Sequence, residues 1–249
     1  MIIAVDGIDC SGKSTVLTLL RDYLTIDRKY ADEAKKPCVF HVNHPGSTEI
    51  GKELRRIVKD PKFKPTPIVE RLIFAADLAQ FEAEYAELAS AGAIILCDRY
   101  SRITDFVYGM AAGLPLDRIE ALQATVNATL KADFYFACQC SVDTALERKE
   151  GRDQATAKTG FGAAAVTQKC RIEEQGREHA KRVADAYNSL RPYDSLSAYV
   201  DKYNATPSRL QALVNKRAER VYCVDAEKSV KESLQSIIAI LDPFLPAEK

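Results

Sequence analysis

Residues Gly7-Ile8-Asp9-Cys10-Ser11-Gly12-Lys13-Ser14 fit the pattern G-x-x-x-x-G-K-[ST], directly after an apolar run and directly before a helical one. The chemistry of such a loop is anion binding. Its glycines let the chain turn so that successive backbone N–H groups face phosphate oxygens, and the following helix adds the positive end of its dipole. Lys13 would reach the β and γ phosphates of a nucleoside triphosphate, and the Ser14 hydroxyl would ligate Mg²⁺. The ATP-binding set is Gly7, Asp9, Cys10, Ser11, Gly12, Lys13, Ser14 and Thr15, with Thr15 read as a helix-face residue and Cys10 as a small loop residue. A glycine-containing turn that binds nothing is the plain alternative; position and flanks both weigh against it.

A phosphate loop does not say what the bound nucleotide is for. A guanine-specifying N-K-x-D is missing, since the nearest string, Asn215-Lys216-Arg217-Ala218, lacks the aspartate. A helicase or transporter ATPase would need more chain or a partner ring. A small-molecule kinase needs a second pocket, basic for an acceptor phosphate and aromatic for a base, and a cover that excludes water.

The elements that must carry these residues alternate along the chain. Near-continuous apolar runs at Ile2 to Val5, Val39 to Val42, Ala93 to Cys97, Phe134 to Cys138 and Val221 to Val224 predict parallel strands covered on both faces. Helical spacing holds over Ser14 to Leu24, Ile68 to Ser90, Asp117 to Leu130, Ile172 to Leu190 and Ser229 to Leu241, with Gly92 ending the second. Gly151 to Thr167 reads as a mobile loop, within a lid at about 148–170. Arg191 to Ala218, polar and holding Pro192 and Pro207, reads as an insertion on a single domain spanning 1–249.

A chain of 249 residues, 47% hydrophobic and 28% charged, buries enough surface to fold without metal or disulfides. Its 35 basic and 35 acidic side chains leave no net charge, which argues against binding of nucleic acid. No apolar stretch approaches a membrane span, and the opening Met-Ile-Ile-Ala-Val-Asp has no basic segment or cleavage site, so a cytoplasmic setting is expected. Of seven cysteines, Cys38, Cys97, Cys138 and Cys223 fall in apolar runs and read as buried thiols. Cys138 and Cys140 have no second pair at zinc spacing and read as core.

Five motifs, in order, resemble the thymidylate kinase family of nucleoside monophosphate kinases. They are Val5-Asp6-Gly7-Ile8-Asp9 with the phosphate loop, Pro45 to Gly51 with Arg55, and Leu72-Ile73-Phe74-Ala75-Ala76-Asp77. Asp98-Arg99-Tyr100 and the segment from Arg171-Ile172-Glu173 to Tyr187 complete the series. The resemblance implies a P-loop α/β fold, a five-stranded parallel sheet flanked by helices with a lid, and a homodimer. It implies ATP with Mg²⁺ and a pyrimidine deoxynucleoside monophosphate, dTMP first, as substrates. Arg99 and Arg55 would hold the acceptor phosphate, Asp9 the acceptor sugar, and Phe74 would stack on the base; Ser14, Asp9 and Asp98 would hold the metal. Plainer readings stay open: a structural Asp98-Arg99 ion pair, an Asx turn at Asp9 and a core Phe74.

With Cys10 where one branch of the family has a basic residue, the transition-state cation is expected from the lid. Of Arg148, Lys149, Arg152 and Lys158, Arg152 comes first and Arg148 second, so the catalytic set is Lys13, Arg99, Arg152 and Arg148; a solvated charged loop is the alternative. The acceptor set is Asp9, Pro45, Arg55, Phe74, Leu78, Arg99, Thr104 and Tyr108. It departs from the family pattern at Leu78, where an arginine contacts the base, at Asn43-His44, where Arg-Glu or Arg-Phe stands, at Ile103 for a serine, and at Tyr108 for a polar partner. A different or modified base, a deoxynucleoside kinase, and a P-loop module that binds without turnover are the competing readings.

Overall fold

The apolar runs become the sheet. The structure, a computed structural model, describes residues 1–28, 30, 38–126, 130–159, 171, 175–190 and 220–246. Its strands are β1 (Ile2–Gly7), β2 (Val39–Asn43), β3 (Ile94–Asp98), β4 (Phe134–Gln139) and β5 (Val221–Asp225). All pair in parallel in the order β2-β3-β1-β4-β5. Each expected strand is present, but burial on both faces holds only for the inner three; β2 and β5 lie at the edges and are partly covered.

Eight α-helices flank the sheet among the described residues. They are α1 (Lys13–Asp22, continuing into a π-helical turn at Tyr23–Asp27), α2 (Glu49–Lys59), α3 (Pro67–Ser90), α4 (Ser101–Ala111), α5 (Leu116–Val126), α6 (Val142–Thr159), α7 (Gly176–Asn188) and α8 (Val230–Leu241). Val16, Leu17, Leu20 and Leu24 form the buried stripe that their spacing predicts. Pro67 opens α3, and Ser229 with Glu232 closes a capping box on α8.

The expectation of a loop from Gly151 is corrected as far as Thr159, because α6 continues through it; alanines and long charged side chains favour the helix once begun. Lid residues 160–170 and the insertion at 191–218 lie outside the described residues. Cys97, Cys138 and Cys140 are buried as expected, whereas Cys38 precedes β2 and is exposed, and Cys223 is half-buried on the edge strand.

The sheet order positions the site. From β1 the chain crosses β3 to reach β2, and from β3 it crosses β1 to reach β4, so the loops leaving β1 and β3 part and open a crevice at their C-terminal ends. Register brings Val5 beside Asp98 and Asp98 beside Asn43. The phosphate loop and the Asp98-Arg99 motif therefore face each other by topology.

Helices α3, α4 and α5 enclose buried charge. Arg71 Nη1 donates to Asp105 (3.2 Å) and Gln123 Nε2 donates to the same carboxylate (2.7 Å). Burial pushes Asp105 up from 3.8 to about 7; Arg71 and Gln123 pull the other way, and Asp77 and Glu70 push further up. An acid raised on folding holds its proton more tightly in the native state, so its contribution is present at low pH and lost as pH rises from about 4 to about 7. Asp105→Asn removes that dependence. Relative to the parent, the variant gains on the order of 2 kcal/mol between about pH 5 and about pH 8. Denaturant melts of both proteins at the two pH values check this, and a pH-independent difference counts against it.

Candidate functional site

β1 ends at Gly7, whose φ of 153° and surroundings admit no side chain: a Cβ would come within 2.7 Å of the Cys138 carbonyl oxygen and 2.9 Å of Ser11 Oγ. The loop then turns back, with Ser11 N–H donating to the Ile8 carbonyl (3.1 Å), and Gly12, at φ 93°, leads into α1. Cys10 sits at φ 65° without being glycine, a strained conformation of the kind that collects at ligand sites. Burial pushes its thiol up; Arg152, Lys13 and Lys149 pull it down without cancelling that effect, in line with a small, unreactive loop residue. Lys13 is buried, with Nζ 3.5 Å from both the Ile8 carbonyl and Asp9 Oδ1.

Across the crevice Ser14 Oγ donates to Asp98 Oδ2 at 2.5 Å. A hydroxyl and a carboxylate are hard oxygen donors and fit Mg²⁺, which uses few protein ligands and takes the rest from water and phosphate. No cluster of three or more His, Cys, Asp or Glu able to hold a metal occurs among the described residues, so no all-protein cage competes with that arrangement.

Arg99 is the second left-handed non-glycine residue, at φ 68°. Its Nη1 donates to Asp6 Oδ1 (3.0 Å) and the Gly7 carbonyl (3.0 Å), and Nη2 to the Asp9 carboxylate. Arg99 thus pairs with Asp6 and Asp9 while Asp98 turns to Ser14. Burial in the cleft works against ionisation of Asp9, but Arg99 and then Lys13 outweigh it and hold the carboxyl well below the usual range. Asp6 is fully buried and also accepts from Gly7 N–H (2.8 Å), Tyr187 Oη (2.7 Å) and Thr104 Oγ1. Asp6 and Tyr187 lay outside the residues singled out for chemistry. The available signal was a carboxylate within an apolar strand, which needs partners to be buried.

These groups open on a cleft of about 690 Å³. Asp9, Cys10, Gly12, Lys13, Ser14 and Thr15 line one side; Pro45, Arg55, Phe74, Asp98, Arg99, Thr104 and Tyr108 line the other, and Arg148 and Arg152 reach in from α6. Asn43, His44, Val58, Lys59 and Val230 also line it. Gly7 and Ser11 shape the loop from behind. Leu78 does not reach the cleft: it is 1% exposed and packed in the core. Arg55 Nη1 donates to the Pro45 carbonyl (2.6 Å), and His44 Nδ1 lies 3.0 Å from Asp77 Oδ2, whose other oxygen accepts from Gly46 N–H (3.0 Å).

The lid cations divide. Arg148 donates to the carbonyls of Ala226 (2.7 Å) and Lys228 (3.2 Å), with longer contacts to Ser11 (3.4 Å) and Glu227 (3.5 Å), so its fork joins the phosphate loop to the segment after β5. Arg152 is largely exposed and donates to Asp153 (3.2 Å). The Lys158 side chain lies outside the described residues.

A phosphate loop on the central strand, facing an arginine-bearing pocket with an aromatic wall, defines a P-loop phosphotransferase. The family model described as Thymidylate kinase matches residues 5–191, and the chain belongs to the thymidylate kinase family. It is 27% identical over 246 residues to a thymidylate kinase of Symbiobacterium thermophilum, covering 98% of this chain and 94% of that one. A Roseiflexus sp. thymidylate kinase is 29% identical over 247 residues, covering 98% and 95%. One of Prochlorococcus marinus (strain MIT 9303) is 30% identical over 192 residues, covering 76% and 81%. Membership favours the monophosphate kinase over the deoxynucleoside kinase and the module without turnover.

Proposed function

We propose that the chain transfers the γ-phosphoryl group of ATP to dTMP. An oxygen of the acceptor phosphate bonds to the γ phosphorus, the bond to the β–γ bridging oxygen breaks, and ADP leaves beside the new dTDP. The observation that carries this reading is that Lys13 and Arg99, cations from two different strand ends, face one cleft with Asp9 between them. Negative charge spreads over the transferring oxygens, so fixed cations there lower the barrier.

In this reading the loop N–H groups and Lys13 hold the ATP phosphates. Ser14, Asp98 and Asp9 would hold Mg²⁺, and the ion would neutralise phosphate charge. Arg99 and Arg55 receive the acceptor phosphate, Asp9 accepts from the acceptor sugar, and Phe74 and Tyr108 flank the base. Arg152, exposed and close to Cys10, is the lid cation for the transition state, while Arg148, anchored on carbonyls, positions the ATP side. Release of ADP across a panel of deoxynucleoside monophosphates tests the proposal. dTMP is expected to turn over fastest, and no turnover of any pyrimidine nucleotide overturns it.

The same reading includes a homodimer. Among the described residues, the exposed Ile50 (54%), Val69 (43%) and Leu72 (50%) belong to α2 and α3, which pack together, and in this reading they would meet a second copy. Light scattering on the purified chain decides it. A cytoplasmic setting accords with the six described cysteines, none of which forms a disulfide among the described residues, and no described helix is long and apolar enough to cross a membrane.

A further inference from the structure

Asp77 is fully buried, and each of its oxygens takes one donor from the turn that follows β2. Oδ2 lies 3.0 Å from His44 Nδ1, and Oδ1 accepts from Gly46 N–H at 3.0 Å. An ionised carboxylate can only accept, so Nδ1 carries the proton and donates. One carboxylate thus grips the residues on either side of Pro45. Gly51 makes room for it, since a Cβ there would collide with Asp77 Oδ1.

Arg55 is mounted on that turn. Its Nη1 donates to the Pro45 carbonyl (2.6 Å), and its stem passes so close to Gly46 that a Cβ there would stand 2.9 Å from Arg55 Cδ. On its other side His44 meets the strand that carries Arg99. The His44 N–H donates to the Asp98 carbonyl (3.0 Å), and the imidazole stands perpendicular to the ring of Tyr100, the residue after Arg99, with centroids 5.6 Å apart. His44 therefore joins the supports of the two arginines read as holding the acceptor phosphate.

Packing alone does not call for a histidine here. The side chain is buried edge-on against Phe81, centroids 4.4 Å apart, and its Nε2 is buried with no hydrogen-bond partner among the described residues. A phenylalanine would fill the same space without burying an unpaired nitrogen, which is costly. What the imidazole adds is the Nδ1–H at Asp77.

We propose that His44 is a positioning residue for the acceptor phosphate: through Nδ1 and Asp77 it fixes the Pro45-Gly46 turn, and with it the reach of Arg55 toward the phosphate that Arg99 also meets. The inference rests on the reading of the cleft as the acceptor site. A displaced guanidinium loses its paired contacts to phosphate and leaves those to sugar and base as they were, so the loss falls on phosphorylated ligands alone. Thymidine is the control, with the same base and sugar and no phosphate, used as a competitor of dTMP.

In His44→Phe, which keeps a ring and removes the donor, KM for dTMP is expected to rise about tenfold, with kcat within about threefold and the inhibition constant of thymidine within about twofold of the parent. His44→Asn, whose amide N–H falls near the Nδ1 position, is expected to hold KM for dTMP within about threefold. Equal weakening of dTMP and thymidine in His44→Phe, an unchanged KM for dTMP there, or an asparagine variant as poor as phenylalanine overturns the proposal. If His44→Phe does not fold, His44→Gln, whose amide falls near Nε2 instead, takes its place with the same expected rise and the same overturning results. Absence of dTMP turnover in the unaltered chain refutes the acceptor-site reading instead, so the two failures are distinguishable.

Discussion

Arg99→Lys is expected to lose about a thousandfold or more in kcat while its affinity for an ATP analogue stays within about threefold. The guanidinium spans three acceptors that no ammonium can reach together: Asp6 and the Gly7 carbonyl on one nitrogen, Asp9 on the other. It does so from a left-handed backbone at φ 68°, which aims the side chain across the end of β1. Lysine keeps a positive charge near the fully buried Asp6, so the variant retains its fold. Arg99→Ala would leave that carboxylate without its cation, at a cost of about 3–5 kcal/mol, and would confuse a stability loss with a catalytic one. The ATP side lies on Lys13, Ser14 and the loop amides, and Arg99 meets that loop only at the Gly7 carbonyl and the Asp9 carboxylate, hence the small change in ATP affinity. Steady-state kinetics beside titration with a non-hydrolysable analogue measures both. A kcat within about tenfold of the parent would reduce Arg99 to a strut between β1 and β3.

The pattern of loss and retention in the sequence has physical causes. Inner strands of a parallel sheet are buried on both faces, so their apolar runs are unmistakable, and the phosphate loop is a local motif whose geometry follows from its own glycines. Helices α2, α4 and α6 escaped for different reasons. In α2 Ile50, Leu54, Ile57 and Val58 do keep helical spacing, a signal that was legible although only Gly51 and Val58 are buried, whereas α6 is charged along its middle from Glu147 to Asp153. In α4 every residue from Ile103 to Tyr108 is buried, which erases the 3.6-residue period by covering all sides. Leu78 and Arg71 lie two turns apart on the same face of α3 and are both buried, so helical spacing does not separate the core leucine from the arginine against Phe74; that difference is set by the neighbouring helices, which the sequence does not show. Asp6 was visible as a carboxylate in a strand, but its partners come from α4 and α7, which only the fold brings to it.

That convergence makes Asp6→Asn the second large expected effect: kcat lower by about a hundredfold, with stability reduced by about 1–3 kcal/mol. Gly7 N–H, Arg99 Nη1 and Tyr187 Oη all donate to Oδ1, and Thr104 Oγ1 donates to Oδ2. An asparagine with its oxygen at the Oδ1 position keeps three of these bonds. Its amide nitrogen then meets Thr104, whose hydroxyl can rotate to accept. Shape and hydrogen bonding survive while the negative charge is lost. Arg99 then has one carboxylate where it had two, and Asp9, the remaining one, draws the guanidinium toward itself and away from the acceptor phosphate. Because the loss acts through Arg99, the two substitutions cannot be independent. Arg99→Lys made on the Asp6→Asn background is expected to cost about tenfold or more less than it does alone. A double-mutant cycle in kcat reads the coupling directly, and losses that simply multiply would separate Asp6 from catalysis, making it a buried brace for β1, α4 and α7.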